Sequence, residues 1–525
     1  MSVPADIHVP ESVITTPQPP STVLPPRPAS RPARRPPGPG PRRPRPTGFL
    51  PVLLPVLLPV VLSLALGLWG VRRGGSLWRD EVVTYDMARR ELPQLWGTLA
   101  NADAVHGLYY LLMHGLFRLT GDSADPLLVL RLPSVLATAV ACGTLALLGL
   151  RLAGPRAGLL AGLTFAVLPQ VQRFAQEGRS YAIVCALVIW ATYLLVRAVE
   201  TGARRIWAGY AAVLLGACLL HEFAVLALLA HAVAVPVVRR RAWLHAALPV
   251  CVLLAPLALL SVGQSEQVAW IGGIEAVAVA AFVGMSGMGV ACAALLRRRD
   301  GLRIAARDGG RPASGPAPRG GLPGLALALL IVPPAVLLLV SLAKPLYSDR
   351  YVLYANAGAA LLIGAVLARV RPRTLLPAGA AVLALVPYSL HLRTPESRLE
   401  DVTAIAETVR AAGRDADAVV YLPGRRRVWS LADPASVGGL RDLALAGSPA
   451  ASHTLYGVEA DADTIRARML ATPRILAVGD PVGQPLDRTA QEAAKREVLD
   501  TSFEECRVWR FPAARIVLYA RPGHC

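Results

Sequence analysis

Charge is what this sequence has little of. Only 17% of its 525 residues are Asp, Glu, Lys or Arg, against roughly 25% in an ordinary soluble domain, which excludes a soluble protein wrapped around one oily core. A Gly-rich nucleotide-binding turn is missing too. After the apolar run that ends at Val478, Gly479 is followed by Asp480, Pro481 and Val482, which is no phosphate-cradling loop. The chain shows neither an internal repeat nor charges at the middle of its apolar blocks, and a secondary transporter would be expected to carry both. A cleavable signal peptide is not expected, because the first apolar block, Phe49 to Gly70, lies far from the start and is too long for one. Cysteine is sparse. Cys142, Cys185, Cys218, Cys251 and Cys292 fall inside apolar blocks and read as small apolar fillers. Cys506 and Cys525 fall outside them and could pair in an oxidising compartment.

What is present is apolar. Hydrophobic residues make up 54% of the chain, mean hydropathy is +0.47, and the apolar residues come in blocks of about 20, the length that crosses a ~30 Å hydrocarbon core as helix. Eleven spans are predicted, at 49–70, 126–150, 157–174, 181–199, 206–221, 223–238, 244–262, 271–296, 322–343, 351–368 and 374–391. The net charge of +19 does not call for a nucleic acid, since most arginine clusters sit at the ends of apolar blocks, where the positive-inside bias accounts for them. Residues 1–48, with Arg27, Arg31, Arg34, Arg35, Arg42, Arg43 and Arg45 among many prolines, read as a disordered cytoplasmic tail near anionic lipid.

With that tail inside, Arg151 and Arg156, Arg197 to Arg205, Arg239 to Arg241, Arg297 to Arg319 and Arg369 to Arg373 gather on the cytoplasmic face. Arg72 and Arg73 are the exception. The parity requires that His106 to Leu119, 14 residues and about 21 Å of helix, be interfacial or re-entrant.

Past Leu390 the pattern changes. A polar helix at Arg398 to Ala411, strands at Ala418 to Leu422 and Arg474 to Val478, a helix at Thr489 to Glu497 and a hairpin of Val508 to Phe511 with Arg515 to Tyr519 are predicted. The fold class is thus a polytopic α-helical membrane protein (49–391) with a small extracytoplasmic α/β domain (398–525), which shares the outer face with a loop at 77–125.

Ionisable groups at the edge of a membrane bundle are costly, so clusters of them mark candidate sites. Four fall on the outer face: Leu77 to Asp86 with Asp80 and Glu81; Asn101 to Tyr110 with Asp103, His106, Tyr109 and Tyr110; Arg173 to Tyr181 with Glu177 and Arg179; and Lys344 to Tyr351 with Tyr347 and Arg350. Paired carboxylates supply a base, and guanidinium groups suit phosphate oxygens.

These motifs in order, Asp80-Glu81, Ala88 to Leu92, His106-Gly107-Leu108-Tyr109-Tyr110, Leu130 to Ser134 and Phe174 to Tyr181, resemble the GT-C type integral membrane glycosyltransferases. The nearest branch includes the protein O-mannosyltransferases, the lipid A aminoarabinose transferases and actinobacterial membrane mannosyltransferases. The resemblance covers 49 to about 390. It implies transfer of a sugar, mannose being the commonest, from a polyprenyl phosphate to an extracytoplasmic acceptor with inversion, with Asp80 as base and Glu81 as its companion. After His106 the chain departs from the family pattern, which often has Pro-Pro where Gly107 and Leu108 stand, and the role the resemblance gives His106 loses that proline rigidity. A lipid-linked sugar flippase or a non-catalytic assembly protein are the alternatives. Arg350 is the first candidate for the phosphate, then Arg179 and Lys344. Asp80, Glu81 and Glu177 could hold Mg or Mn through oxygen ligands. No tightly bound ion is expected, because the cations already supply positive charge.

Overall fold

The computed structural model describes residues 50–264, 273–305, 317–371, 376–398, 400–431 and 433–525; the predicted tail at 1–48 lies outside them. The apolar blocks form helices, as a lipid environment demands of a backbone that must satisfy its own hydrogen bonds. They are α1 (Leu50–Leu68), α5 (Pro126–Ala153), α6 (Pro155–Val167), α7 (Pro169–Ala175), α8 (Tyr181–Thr201), α9 (Arg204–Leu220), α10 (Leu226–Ala234), α11 (Arg240–Gly263), α12 (Ala276–Ala305), α13 (Gly321–Ser341), α14 (Asn356–Leu367), α15 (Leu376–Ala384) and α16 (Val386–His391). Between α1 and α5 stand α2 (Arg79–Arg89), α3 (Leu92–Asn101) and α4 (Gly107–Thr120).

Among the described residues seven helices are long and apolar enough to cross a membrane, and Pro155–Val167, Glu222–Ala234 and Leu376–His391 are shorter apolar ones. The chain is a multi-pass membrane protein. Four predicted spans differ from the continuous helices expected. The 157–174 block breaks at Leu168, which is extended before Pro169. The 223–238 block stops at Ala234, because Val235 is extended before Pro236. Both follow from the steric restriction that proline places on the residue before it. The 351–368 block opens as a 3-10 turn, Asp349–Ala355, and α15 gives way to α16 where Pro387 enters.

The predicted cytoplasmic connections meet one another. Arg151 Nε donates to Glu200 at 2.7 Å, Arg239 Nε to the Val199 carbonyl at 3.1 Å and Arg156 to the Val370 carbonyl at 3.2 Å. α4 packs on α2 and α5. His114 Nδ1 lies 2.9 Å from the Ala88 carbonyl, and Arg118 pairs with Glu91 at 3.1 Å.

The C-terminal region comprises α17 (Val402–Ala412), β1 (Ala418–Leu422), α18 (Val428–Leu431), β2 (Arg441–Asp442), β3 (Leu445–Gly447), β4 (Val458–Glu459), α19 (Ala462–Leu470), β5 (Arg474–Gly479), α20 (Ala490–Ser502), β6 (Glu504–Arg510) and β7 (Arg515–Ala520). Five strands form one sheet in the order β2-β1-β5-β7-β6; β1 is parallel to both its neighbours and β7 antiparallel to both of its own. Val420, Ile475, Ala477 and Val517 pack with Ile465, Val498 and Leu499 of α19 and α20. Cys506 and Cys525 form a disulfide. This region is stitched to the segment before α2. Val402 N donates to the Leu77 carbonyl at 2.9 Å, Leu77 N to Thr403 Oγ1 at 3.1 Å and Ser76 Oγ to Asp401 at 3.0 Å.

Candidate active site

The first turn of α2 carries Arg79, Asp80 and Glu81 after an extended Trp78. Trp78 N donates to Glu81 Oε2 at 3.4 Å, and two carboxylates suit the positive end of a helix. Neighbours on a helix point about 100° apart, so the two acids enter different surroundings. Glu81 is fully buried. It accepts from Arg131 at 2.8 and 2.6 Å, from Arg73 at 2.7 Å and from Gly178 N at 3.0 Å. Burial pushes its carboxyl up, but Arg131 and Arg73 outweigh this and hold it down at about 2. The two arginines that broke the charge rule are thereby accounted for: Arg73 belongs to this brace, and Arg72 pairs with Asp125 at 2.6 Å.

Asp80 faces the other way, toward cations. Arg350 Nη1 donates to Asp80 Oδ2 at 2.9 Å, and Arg79 Nε lies 3.6 Å from Asp80 Oδ1. Arg179 Nη1 reaches Thr84 Oγ1 and the Tyr110 hydroxyl, each at 3.2 Å, and the Asp80 carbonyl at 3.5 Å. The Tyr110 hydroxyl in turn donates to Asp103, whose backbone is left-handed at φ 58°. His106 Nε2 is 4.0 Å from Asp103. Aromatic rings close the cluster. The Arg350 guanidinium lies 5.4 Å from the Tyr181 ring centroid, 5.6 Å from that of Tyr351 and 6.0 Å from that of Trp78, within the range of cation–π attraction. His221 stands 5.4 Å from His106 and 4.6 Å from Tyr351, centroid to centroid.

The side chains of Asp80 and Arg350 are only 13% and 10% exposed, so their charges act through little water. Burial alone would raise the Asp80 carboxyl, but Arg350, Arg179 and Arg79 together hold it below the usual range. Asp103 moves the opposite way: burial raises it, and Arg179 does not cancel the effect. Burial and then Arg179 disfavour the His106 imidazolium, which leaves that ring neutral.

The sequence candidates thus separate. Asp80, His106, Arg179 and Arg350 come together. Tyr109 is wholly buried beneath them. Glu81 is walled into its brace, and Glu177 is enclosed in a second one, 3.0 Å from Arg398 Nε and 3.6 Å from Arg173 Nε. Lys344 is exposed and Tyr347 half-buried, and neither hydrogen-bonds Asp80 among the described residues. Asp80, Glu81 and Glu177, the three oxygen donors considered for a metal, therefore sit in separate environments, and among the described residues no three His, Cys, Asp or Glu side chains converge on a metal position. The sequence assigned no site role to Arg398, His221 and Glu400, nor to Arg131, which lies within the Leu130 to Ser134 motif. Arg131 carried a usable signal, a charge inside an apolar block; Glu400 carried none.

Residues 108–265 match the family model for dolichyl-phosphate-mannose-protein mannosyltransferases. The fold resembles the crystal structure of ArnT from Cupriavidus metallidurans in the apo state. That match has a TM-score of 0.55 at 13% identity and covers 88% of this chain and 97% of that one. The matched segment resembles that family, and the fold is that of the ArnT structure. ArnT bound to undecaprenyl phosphate is also similar (TM-score 0.48, 15% identity, 88% and 97% covered). So is archaeal AglB from Archaeoglobus fulgidus in complex with an inhibitory peptide and a dolichol-phosphate (TM-score 0.43, 11% identity, 82% and 69% covered). No curated protein matches the chain in sequence.

Proposed function

We propose that the protein transfers a sugar from a polyprenyl phosphate to a hydroxyl or amine on an acceptor outside the cytoplasm, with inversion, and that Asp80 is the base. The observation that carries this reading is the half-hidden pair of Asp80 and Arg350 at 2.9 Å, set among Arg79 and Arg179. One carboxylate and several guanidinium groups are what the reaction asks for. A phosphate already leaves well, so it needs cations to hold its developing charge and no acid. The acceptor must lose a proton as it attacks the anomeric carbon from the opposite face, and a carboxylate in reach takes it. The new bond joins the acceptor atom to the sugar, the bond to the phosphate oxygen breaks, and the proton goes to Asp80. Direct attack predicts inversion, since a retaining route would need a nucleophile on the sugar's other face.

Arg350 serves both partners. At rest it neutralises Asp80; a donor phosphate shares the guanidinium, and Asp80 becomes more basic once the substrate is bound. Arg179 sits behind Asp80 as the second cation. Glu81 and Glu177 hold the α2 turn and the α7–α8 turn in place. The donor lipid phosphate agrees with the family model, whose description names dolichyl-phosphate-mannose, and mannose is the first sugar to test. The N-terminal tail and the 297–320 loop face the cytoplasm in this reading, and 77–125 and 398–525 face outward. Membranes containing the protein, incubated with radiolabelled polyprenyl-phosphate sugars, are expected to move label from one of them to an acceptor. No transfer from any member of the panel, with folded protein and a broad acceptor extract, would refute the reading. Activity is expected to survive chelator, because the three guanidinium groups supply the positive charge; loss with EDTA and recovery with magnesium or manganese would contradict this.

A further inference from the structure

We infer that Glu400, contributed by the C-terminal region, is a positioning residue that sets the basicity of Asp80 through Arg79. The inference rests on Asp80 being the base. Glu400 lies two residues before α17, next to Asp401, Val402 and Thr403, which hydrogen-bond to residues 75–77. Its Oε1 is 3.4 Å from Arg79 Nη1 and 3.1 Å from Arg426 Nη1; Oε2 is 3.5 Å from the Trp429 indole nitrogen. The carboxylate is 12% exposed. Arg426 continues the chain to Asp480 and stacks on Trp429 at 4.6 Å. A line of alternating charge therefore runs Asp80, Arg79, Glu400, Arg426, Asp480 from the first turn of α2 into the α/β region.

Arg79 stands between two carboxylates, 3.6 Å from Asp80 on one side and 3.4 Å from Glu400 on the other. Whatever share of its charge Glu400 takes is withheld from Asp80. A half-buried pair feels its neighbours strongly, because water screens little there. Burial disfavours the Arg79 charge, and Glu400 precedes Asp80 among the groups that restore it. Arg350 and then Arg179 already lower the basicity of Asp80, His106 and Asp103 face it as well, and Tyr456 faces both Asp80 and Arg79; a third guanidinium unopposed by Glu400 would lower it further. The geometry also couples the two halves of the molecule, since Thr403 Oγ1 accepts from Leu77 N and donates to the Gly75 carbonyl at 3.2 Å.

Sign follows from the charge line. Glu400→Gln removes the carboxylate that faces Asp80 across Arg79, so more of the Arg79 field falls on Asp80, which becomes a weaker base. The acid limb of the kcat profile moves to lower pH, and the plateau falls by roughly 3–10-fold. Binding of undecaprenyl phosphate stays the same or tightens, because no cation is lost. Glu400→Asp keeps the charge and restores the limb toward its original pH. Thr403→Val loosens the docking without changing any charge, so it lowers the plateau and leaves the limb in place.

The measurement is label transfer from undecaprenyl-phosphate mannose, or from the sugar lipid the panel identifies, across pH at saturating donor in membranes holding the full chain. An acid limb in Glu400→Gln that coincides with the wild type overturns the inference. So does a limb that moves equally in Thr403→Val. Should Glu400→Gln fail to accumulate, Arg426→Gln decides in its place: it releases more of Glu400 to Arg79 and must move the limb upward, and an unmoved limb overturns the inference. Asp80→Asn in the same assay separates the two ideas. Near-normal turnover there sinks both, while an inert Asp80→Asn beside an unmoved Glu400→Gln limb sinks the Glu400 inference alone.

Discussion

Adjacent residues in one helical turn meet different surroundings in this protein, Asp80 beside Arg350 and Glu81 between Arg73 and Arg131. Asp80 looks into a cluster of cations, and Asp80→Asn keeps its size and much of its hydrogen bonding but removes the basic oxygen. Turnover at saturating acceptor is expected to fall at least ~100-fold, with binding of undecaprenyl phosphate retained. If Arg350 holds the donor phosphate as proposed, Arg350→Ala is expected to weaken that binding and also to slow phosphate departure, because one cation then serves ground and transition states. Glu81→Gln acts differently. It would leave Arg73 and Arg131 buried beside a neutral amide, and breaking such a pair costs about 3–5 kcal/mol. The expected result is a lower melting temperature in detergent, with the turnover of the remaining folded protein less affected than in Asp80→Asn. Glu81 is held at about 2 against an ordinary 4.5, so its contribution to stability is complete above about 4.5 and disappears as pH falls toward 2. A thermal-stability profile over that window should slope in the wild type and flatten in Glu81→Gln.

At the scale of elements, the turn between α7 and α8 is the joint that holds the site to the bundle. Gly178 N donates to Glu81, and Ser134 Oγ on α5 donates to the Glu177 carbonyl at 2.6 Å. A methyl group on Gly178 would come within 2.3 Å of Leu130 Cγ, and Leu130 is fully buried. Gly178→Ala is therefore expected to destabilise the protein by about 1–3 kcal/mol, read as a drop in melting temperature. Leu130→Ala added to it should recover part of the drop; a double variant that is worse than either single one would contradict the close approach. The sequence suggested that this turn was crowded, since Arg173, Glu177 and Arg179 fall within a few residues, but it read the crowding as a binding site. The structure divides the task. Arg179 points to Thr84 and Tyr110, whereas Glu177 pairs with Arg398 from the far end of the membrane region.

For the whole molecule, the expected arrangement has residue 90 and residue 310 on opposite sides of the membrane. Single cysteines placed there should react with an impermeant reagent from opposite faces, and labelling of both from one side would overturn it. The membrane class, the places where apolar blocks begin, β1, and the closing hairpin were all legible in the sequence, because each depends on local composition or short-range periodicity, which a linear chain displays directly. So was the cluster of Asp80, His106, Arg179 and Arg350, but only as four separate charged patches at the ends of apolar blocks. What the linear chain could not display is which charges face each other. Asp80 and Glu81 are equivalent by position and differ only because one turns toward Arg350 and the other toward Arg131, a rotation of about 100° on a helix. Glu400 stands 320 residues from Asp80 and reaches its neighbour Arg79 only because the C-terminal region folds back on the start of α2. Tertiary structure decided these roles, since the field at a carboxylate depends on the distance and burial of charges brought in from remote segments, and sequence separation carries neither.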